Sequence, residues 1–218
     1  MVGKLWLIVG LLALTCLPGV AQTLQVDLVW GQAQLPGRHE WTGHAGSGID
    51  RQVGAQTASG AGLRLTYAPR TLEAGGLRLS LGYEEAKGDT ALASENINVT
   101  TTIHVEARIR TEVRTVLLGA ALATGGPLSI GAGVEGRVES IREEPRIWTD
   151  PTIQAAGSQL RVWVRAFLHY RLQVGLRRPV LGLEWAMPIE GGNQGTAGVS
   201  VLNRAPDRRL GGYLGFQF

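Results

Sequence analysis

The chain is poor in cysteine, in lysine and in long apolar runs. Its only cysteine among 218 residues is Cys16, so no intramolecular disulfide can stabilise the fold. The longest apolar run, Leu5–Leu17, falls short of the about 20 residues that a transmembrane helix needs. Only Lys4 and Lys87 among the 21 basic residues are lysine, and this excess of arginine favours buried or bidentate ion pairs. The sequence has no basic tail and no basic helix with interleaved aromatic residues, so we expect no nucleic acid partner.

The N-terminus has the features of an export signal. Lys4 supplies a positive charge, Leu5–Leu17 supplies the apolar segment, and small residues follow it. We therefore expect a signal peptide over residues 1–21 that is cleaved after Ala21. The mature chain, residues 22–218, then has no cysteine, and a single exported domain of this kind needs a closed hydrogen-bond network or a well packed core.

The mature chain alternates between apolar and polar residues with a period of two, which is typical of β-strands. No stretch of helical period follows the signal peptide. In the fourth alternating segment the pattern becomes ambiguous beyond Thr115, because Val116, Leu117 and Leu118 are apolar on both faces, and a bulge there could change the register. The eight segments cover residues 24–31, 63–67, 77–83, 103–114, 128–135, 160–172, 181–187 and 210–218.

The connections between these segments alternate in length. The long ones cover residues 36–60, 85–101, 140–157 and 191–206, and the short ones cover 69–76, 124–127 and 173–179. A membrane barrel has long outer loops and short periplasmic turns, whereas a soluble sandwich has no reason to place every long connection at one end. The pattern therefore predicts an all-β fold, an antiparallel up-and-down transmembrane β-barrel of eight strands.

One face of nearly every predicted strand is apolar, and the other face carries charges. In a soluble sandwich the apolar faces would pack together and the charged faces would be solvated. In a membrane barrel the charged faces line the lumen, and this is the interpretation we favour. The predicted lumen charge network consists of Asp27, Arg64, Arg78, Glu106, Arg108, Arg110, Glu112, Arg114, Glu135, Arg137, Arg161, Arg165, Arg171 and Glu184.

Aromatic residues on the apolar faces favour the membrane barrel over the sandwich. They fall at the ends of the predicted strands, where tyrosine and tryptophan are enriched at membrane interfaces. We expect two girdles: Tyr67, Tyr170, Phe216 and Phe218 near the periplasmic interface, and Trp30, Tyr83 and Trp185 near the outer one.

The export signal, the eight amphipathic strands, the alternating connections and the terminal Phe218 together resemble the small bacterial outer-membrane barrels. These include the transmembrane domain of outer membrane protein A and the OmpX-like and Opa-like proteins. The resemblance implies a location in the outer membrane, contact with outer-membrane lipid and with the barrel-assembly machinery, and an assembly signal at Phe216 and Phe218. The glycine that this class has five residues before the end is Tyr213 here, preceded by Gly212.

The predicted interior limits what such a barrel can do. Eight strands enclose room for side chains and little else, and the many charges expected there must be paired. We expect a ladder of Arg and Glu that plugs the lumen, with a structural or adhesin-like role carried by the long loops, where Trp148 is a candidate contact for an extracellular ligand. The excess of Arg leaves a narrow anion-preferring pore open as an alternative.

A lipid A-modifying enzyme is a further alternative, since some eight-stranded barrels carry this chemistry. It requires a Ser nucleophile beside a His base. His169 has Phe167 and Arg171 as neighbours on its own strand face, which supply no Ser, and we expect it to be a hydrogen-bonding group in the lumen near the periplasmic end. His104, next to Glu106, also lacks a nucleophile. We therefore expect no catalytic site and no cofactor.

The first long connection contains His39, Glu40 and His44 beside Trp41. Such side chains can bind a divalent cation, but on a glycine-rich loop they are more commonly polar surface. We expect no metal site.

Overall fold

Eleven β-strands account for most of the described chain. The computed structural model describes residues 23–44, 47–69, 75–88, 91–98, 102–147, 155–172, 178–189 and 205–218. The predicted signal peptide, residues 1–21, lies outside them, as does Trp148. The strands are β1 (Thr23–Leu35), β2 (Arg38–His44), β3 (Ser47–Val53), β4 (Gln56–Ala68), β5 (Gly76–Gly88), β6 (Ala91–Asn98), β7 (Thr102–Ala123), β8 (Leu128–Ile147), β9 (Ala155–Arg171), β10 (Arg178–Pro188) and β11 (Arg208–Gln217).

Within the described ranges, no helix is long and apolar enough to cross a membrane.

Eight of the strands close into a barrel. They follow one another in the order β7–β5–β4–β1–β11–β10–β9–β8, and β8 pairs with β7 to complete the ring. All these pairs are antiparallel. The last strand pairs with the first, as predicted, and the backbones of Leu24 and Phe218 exchange hydrogen bonds of 3.2 and 2.8 Å. The prediction of an antiparallel eight-stranded barrel is confirmed, and closure leaves no unpaired edge of this ring in lipid.

The other three strands extend the sheet beyond one end of the barrel. β7 has 22 residues, and its lower part, Glu112–Ala123, pairs with β5 while its upper part, Thr102–Ile109, pairs with β6. β3 then pairs with β6, and β2 is the outermost strand. The long connections predicted for residues 36–60 and 85–101 therefore contain strands. We call β2, β3, β6 and the upper parts of β7, β8 and β9 the extension.

The opposite end of the barrel has short connections. Gly75 and Gly126 lie there with φ of 71° and 95°, which a residue with a side chain adopts only at a cost. Because membrane barrels have short turns on the periplasmic side, we call this end the periplasmic end and the end with the extension the extracellular end.

The long strands change polarity part of the way along their length. In the lower part of β8, Val134 and Val138 are exposed on the outside, and Glu135, Arg137 and Glu139 are buried on the inside. Further up the same strand the outside becomes charged, because Arg142 and Glu144 are exposed there, while Ile141 and Glu143 are buried inside. An apolar exterior requires lipid and a charged exterior requires water. The lower part therefore lies in the membrane, and the extension lies in water.

The change occurs in the same cross-strand row on four neighbouring strands. Tyr83, Val116, Val138 and Leu160 are opposite one another in a cross-strand row, and all four are exposed apolar or aromatic side chains. The next row toward the extracellular end consists of Glu85, Arg114, Ser140 and Ser158. We call the exposed apolar residues that surround the lower barrel the apolar belt. The boundary between these two rows is its upper edge.

The orientation predicted for the fourth segment is wrong. Arg108 and Arg114 are exposed and share the outer face with the half-buried Arg110 and Glu112, whereas Ile109, Thr111 and Val113 are buried inside. This part of β7 lies above the membrane, so its charges face water and its apolar side chains face inward. The pairing with β8 shifts between Arg108 and Ile109, so the irregularity precedes Thr115 and does not follow it.

Candidate functional site

The lumen at membrane height is organised around Glu184 on β10. Arg64 on β4 donates to both of its carboxylate oxygens, from Nη1 to Oε2 at 2.6 Å and from Nη2 to Oε1 at 2.8 Å. Arg209 on β11 also bonds to Oε1, and Arg165 on β9 lies 3.7 Å from Oε2. Three guanidinium groups from three strands thus share one carboxylate whose side chain has no exposed surface.

The same arginines reach other carboxylates and make the pairs continuous. Arg209 Nε lies 2.8 Å from Glu84 Oε2, and Arg165 Nε lies 3.0 Å from Glu135 Oε1. Arg137 also binds Glu135, with its Nη2 at 2.7 Å from Oε2. Each of these arginines is buried, so the pairs are shielded from water. Breaking one of them costs more free energy than breaking an exposed ion pair.

Aromatic rings on the inner face of β9 separate the arginines. Trp163 lies between two guanidinium groups, with Arg137 at 4.5 Å and Arg161 at 5.1 Å from its ring centroid. Phe167 is placed in the same way between Arg165, at 4.9 Å, and Arg78, at 5.3 Å. Such cation–π contacts are worth about 0.5–2 kcal/mol each and stabilise cations that carboxylates do not neutralise completely.

The lower lumen holds a second polar group around Arg78. Its Nη1 lies 3.0 Å from His169 Nδ1, and its Nη2 donates to Ser129 Oγ at 3.1 Å. The hydroxyl of Tyr213 lies 3.2 Å from the same His169 nitrogen. His169 is 1% exposed and hydrogen-bonds within the lumen.

Ser129 lies opposite His169 on the neighbouring strand. The spacing of residues along one strand does not reveal such a neighbour. The pair does not form a nucleophile and base. Ser129 Oγ donates to the backbone oxygen of Thr124 at 2.5 Å, and Arg78 contacts both Ser129 and His169. Both side chains are buried in the lumen, away from any lipid substrate.

An apolar cluster lies toward the extracellular end of the barrel interior. Leu35, Ala58, Val113, Ile141 and Ala205 are each 3% exposed or less and contact one another there. The segment that leads into β11 contributes Ala205.

Arg161 fixes that segment to the barrel wall. Its Nη2 donates to the backbone oxygen of Pro206 at 2.6 Å, while its Nε donates to Glu139 Oε2 at 2.7 Å. The backbone N–H of Asp207 donates to the oxygen of Gln34 at 3.0 Å.

A cavity of about 30 Å³, lined by Glu84, Arg137 and Glu139 among others, is enough for no more than a few waters.

Nine residues of the predicted lumen network lie inside the barrel: Asp27, Arg64, Arg78, Glu135, Arg137, Arg161, Arg165, Arg171 and Glu184. Arg108, Arg110, Glu112 and Arg114 lie on the outer face, and the side chain of Glu106 is outside the described set, as is that of His104. Glu84, Glu139, Glu143 and Arg209 are also buried inside and were missed. They continue the period-two pattern just beyond the predicted segments, which ended too early at Tyr83 and Glu135 and began too late at Leu210.

In total, seven arginines and six acidic residues of the described chain are buried in the barrel interior. The closed ring, the apolar belt and this charged interior identify the architecture. The chain is a transmembrane β-barrel of the outer-membrane type.

Comparison with known proteins finds similarity to solved structures at low sequence identity. No protein-family model and no curated protein matches the sequence. Among solved structures, the chain is similar to Neisserial surface protein A, with 11% identity, a TM-score of 0.45 and coverage of 91% of this chain and 97% of that one. It is also similar to Ail, the attachment invasion locus protein of Yersinia pestis, with 9% identity, a TM-score of 0.42 and coverage of 91% and 100%. A third is the outer membrane protein OprG from Pseudomonas aeruginosa, with 11% identity, a TM-score of 0.36 and coverage of 91% and 97%.

The aromatic residues of the two predicted girdles lie on the outer face of the barrel. Trp30, Tyr83 and Trp185 are 42–45% exposed and lie toward the extracellular edge of the belt. On the periplasmic side, Tyr170, Phe216 and Phe218 are 41–74% exposed, and Tyr67 is half-buried.

Of His39, Glu40 and His44, only the side chain of His39 belongs to the described set. His39 Nε2 pairs with Asp50 Oδ1 at 2.7 Å across the β2–β3 hairpin. No group of three or more His, Cys, Asp or Glu side chains suited to a metal ion is found among the described residues.

Proposed function

We propose that this protein is a non-conducting outer-membrane barrel that presents the extension to the extracellular medium for surface recognition. The observation that carries the proposal is the change of polarity along β7 and β8. Below it, the paired charges fill the lumen, so the barrel acts as an anchor. Above it, Ile109, Val113 and Ile141 form the inside of a water-exposed β-structure that the barrel holds outside the membrane.

The extension is suited to recognition because it is a paired β-structure with a polar outer face where its side chains are described. Its strands are joined by continuous backbone pairing down to the barrel, from β2 through β3 and β6 to β7. Function on membrane barrels concentrates in such extracellular elements, since the wall itself is committed to lipid. We infer that any extracellular partner binds here.

A narrow anion-preferring pore is the second candidate, and one observation favours it. The described interior has seven arginines for six acidic residues, and rings of arginine can line anion pores. Against it stand the apolar cluster and the direct pairing of Glu184 with three guanidinium groups.

Single-channel recording in planar bilayers separates the two candidates. We expect no stable openings from the wild-type protein, and we expect openings from Ala205→Asp, which puts a charge into the apolar cluster. Ala61→Asp, at an exposed position on the outside of β4, serves as the control for a nonspecific effect of the added charge on the bilayer. Stable anion-selective openings of the wild type would refute the plugged barrel.

Recognition is tested by removing the β2–β3 hairpin, residues 38–53, and measuring the binding of bacteria to immobilised extracellular-matrix proteins. The barrel strands remain complete in this variant, and heat-modifiable gel mobility checks that it is folded. Loss of binding supports recognition by the extension, and equal binding by both strains would leave the barrel with a structural role only.

A further inference from the structure

A groove lies on the outer wall of the barrel immediately above the apolar belt. It spans β7, β8 and β9, has a volume of about 370 Å³, and is lined by Glu112, Arg114, Ser140, Arg142 and Ser158 among others. The row directly beneath it consists of Val116, Val138 and Leu160, which are 45–71% exposed. Acyl chains that cover those three residues end at the floor of the groove.

We propose that this groove binds the phosphate of a lipid of the outer leaflet. Arg114, Ser140 and Ser158 are opposite one another on the three strands and form the first polar row above the acyl chains. Arg142 lies in the next row, opposite Glu112. A lipid whose chains lie against the belt must place its headgroup at this height, so the position selects a tethered phosphate over one free in solution.

The side chains have the chemistry that a phosphate requires. Guanidinium groups bind phosphate oxygens in a bidentate manner, and the side chains of Arg114 and Arg142 are 57% and 66% exposed. The hydroxyls of Ser140 and Ser158 lie 2.8 Å apart, one donating to the other, which leaves one O–H to donate to a phosphate oxygen.

The acidic neighbours do not prevent this binding. Arg114 Nη2 pairs with Glu112 at 2.8 Å, and Arg142 Nε pairs with Glu144 at 3.1 Å, both along one strand. Exposed pairs of this kind are worth little, so each arginine can give up a carboxylate partner for a phosphate or donate to both. Arg114 uses Nε and Nη2 on Glu112 Oε1, at 3.0 and 2.8 Å, and Glu85 lies opposite it on β5. A guanidinium has five N–H donors, so Nη1 of Arg114 and the remaining N–H groups of Arg142 are the ones offered to a phosphate.

The test compares two lipids that differ in the phosphate alone. The purified full-length barrel in detergent micelles is titrated with dimyristoyl phosphatidic acid or with dimyristoyl glycerol, and the bound lipid is counted by native mass spectrometry. We expect the wild type to retain phosphatidic acid in preference. In the variant Arg114→Gln with Arg142→Gln, the affinity for it should fall about tenfold or more, because two bidentate contacts are lost.

Arg208→Gln is the matched control. Arg208 is exposed on the outer face of β11, adjacent to the exposed Leu210, and its Nε bonds to Gln34, so it is an exposed arginine on a strand that does not border the groove. We expect its affinity to equal that of the wild type. Equal losses in the control and in the double variant would mean general attraction to anionic lipid and would overturn the site.

Two further results would also overturn the proposal. One is equal retention of dimyristoyl glycerol, and the other is displacement of phosphatidic acid by inorganic phosphate at the same concentration, which would indicate a site for free anions. If the glutamine variant does not fold, as judged by heat-modifiable mobility, Arg114→Lys with Arg142→Lys replaces it. Lysine keeps the charge but loses the bidentate geometry, so an intermediate affinity is expected.

Discussion

Replacing Glu184 by Gln should destabilise the barrel strongly, although the two side chains have nearly the same shape. Glu184 is the carboxylate shared by Arg64, Arg209 and Arg165, and its side chain is fully buried. The amide removes the negative charge. The number of buried acidic residues falls from six to five, while the number of buried arginines stays at seven.

The size of the effect follows from what remains. Breaking a buried ion pair by changing one partner costs about 3–5 kcal/mol, because the other charge stays buried. Arg209 keeps its contact with Glu84, and Arg165 keeps its contact with Glu135, so Arg64 loses the most. We therefore expect the lower end of this range, about 3 kcal/mol of unfolding free energy.

The assay is urea unfolding of the barrel in lipid vesicles, followed by tryptophan fluorescence. With an m-value of about 1–3 kcal/mol per M, the loss should lower the midpoint by about 1–3 M urea. Glu112→Gln is the control, since its partner Arg114 is 57% exposed and an exposed pair contributes about 0–1 kcal/mol. Joint replacement of Glu184 and Arg64 by Met should recover part of the loss. If Glu184→Gln shifts the midpoint no more than Glu112→Gln, the paired network does not stabilise the lumen and our reasoning is wrong.

Three further predictions concern assembly, packing and chemistry. Deletion of Phe218 should reduce the amount of barrel inserted in the outer membrane of cells more than it reduces the stability of the folded fraction, while Phe218→Leu inserts normally; normal insertion of the deletion would contradict the assembly role. Gly182→Ala should cost about 1–3 kcal/mol in the same urea assay, because the added methyl group would overlap the ring of Tyr213, whereas Gly136→Ala, where nothing lies closer than 3.9 Å, should be nearly neutral. His169→Ala should leave the mass of lipid A unchanged relative to the wild type, since His169 is buried against Arg78 and Tyr213; a mass shift that depends on His169 would restore the enzyme interpretation.

The eight barrel strands could be predicted because alternation with a period of two persists whatever surrounds the sheet. Leu160 to Leu172 alternates in the sequence, and β9 alternates between exposed and buried residues over the same range. The ends of the strands were harder to predict from the sequence. Glu84 and Arg209, for example, lie one residue beyond the apolar positions that defined their segments. The extension was interpreted as loop, because its short strands β2, β3 and β6 carry few apolar residues and depend on pairing with β7.

Ion-pair partners could not be predicted from the sequence. Glu184 and Arg64 are 120 residues apart and belong to strands that are not neighbours in the sheet, so they meet across the lumen. Which residues meet there depends on the stagger of the strands around the closed ring. The alternation of one strand fixes the face of a side chain but carries no information on this stagger.

The orientation of the fourth segment was predicted wrongly because the upper edge of the membrane was not taken into account. We assumed that charges face the lumen along the whole strand, yet this holds only where the outside is lipid. On β8 the outward residues from Leu128 to Val138 are apolar or small, and their cross-strand partners on β9 run from Tyr170 to Leu160. Ten residues at about 3.3 Å each cover about 33 Å along the strand, and a tilt of about 40° reduces this to about 25 Å across the membrane. Because that is the thickness of the apolar band of outer-membrane barrels, the polarity of β8 reverses where the lipid ends, and the charges of β7 above that height must face outward.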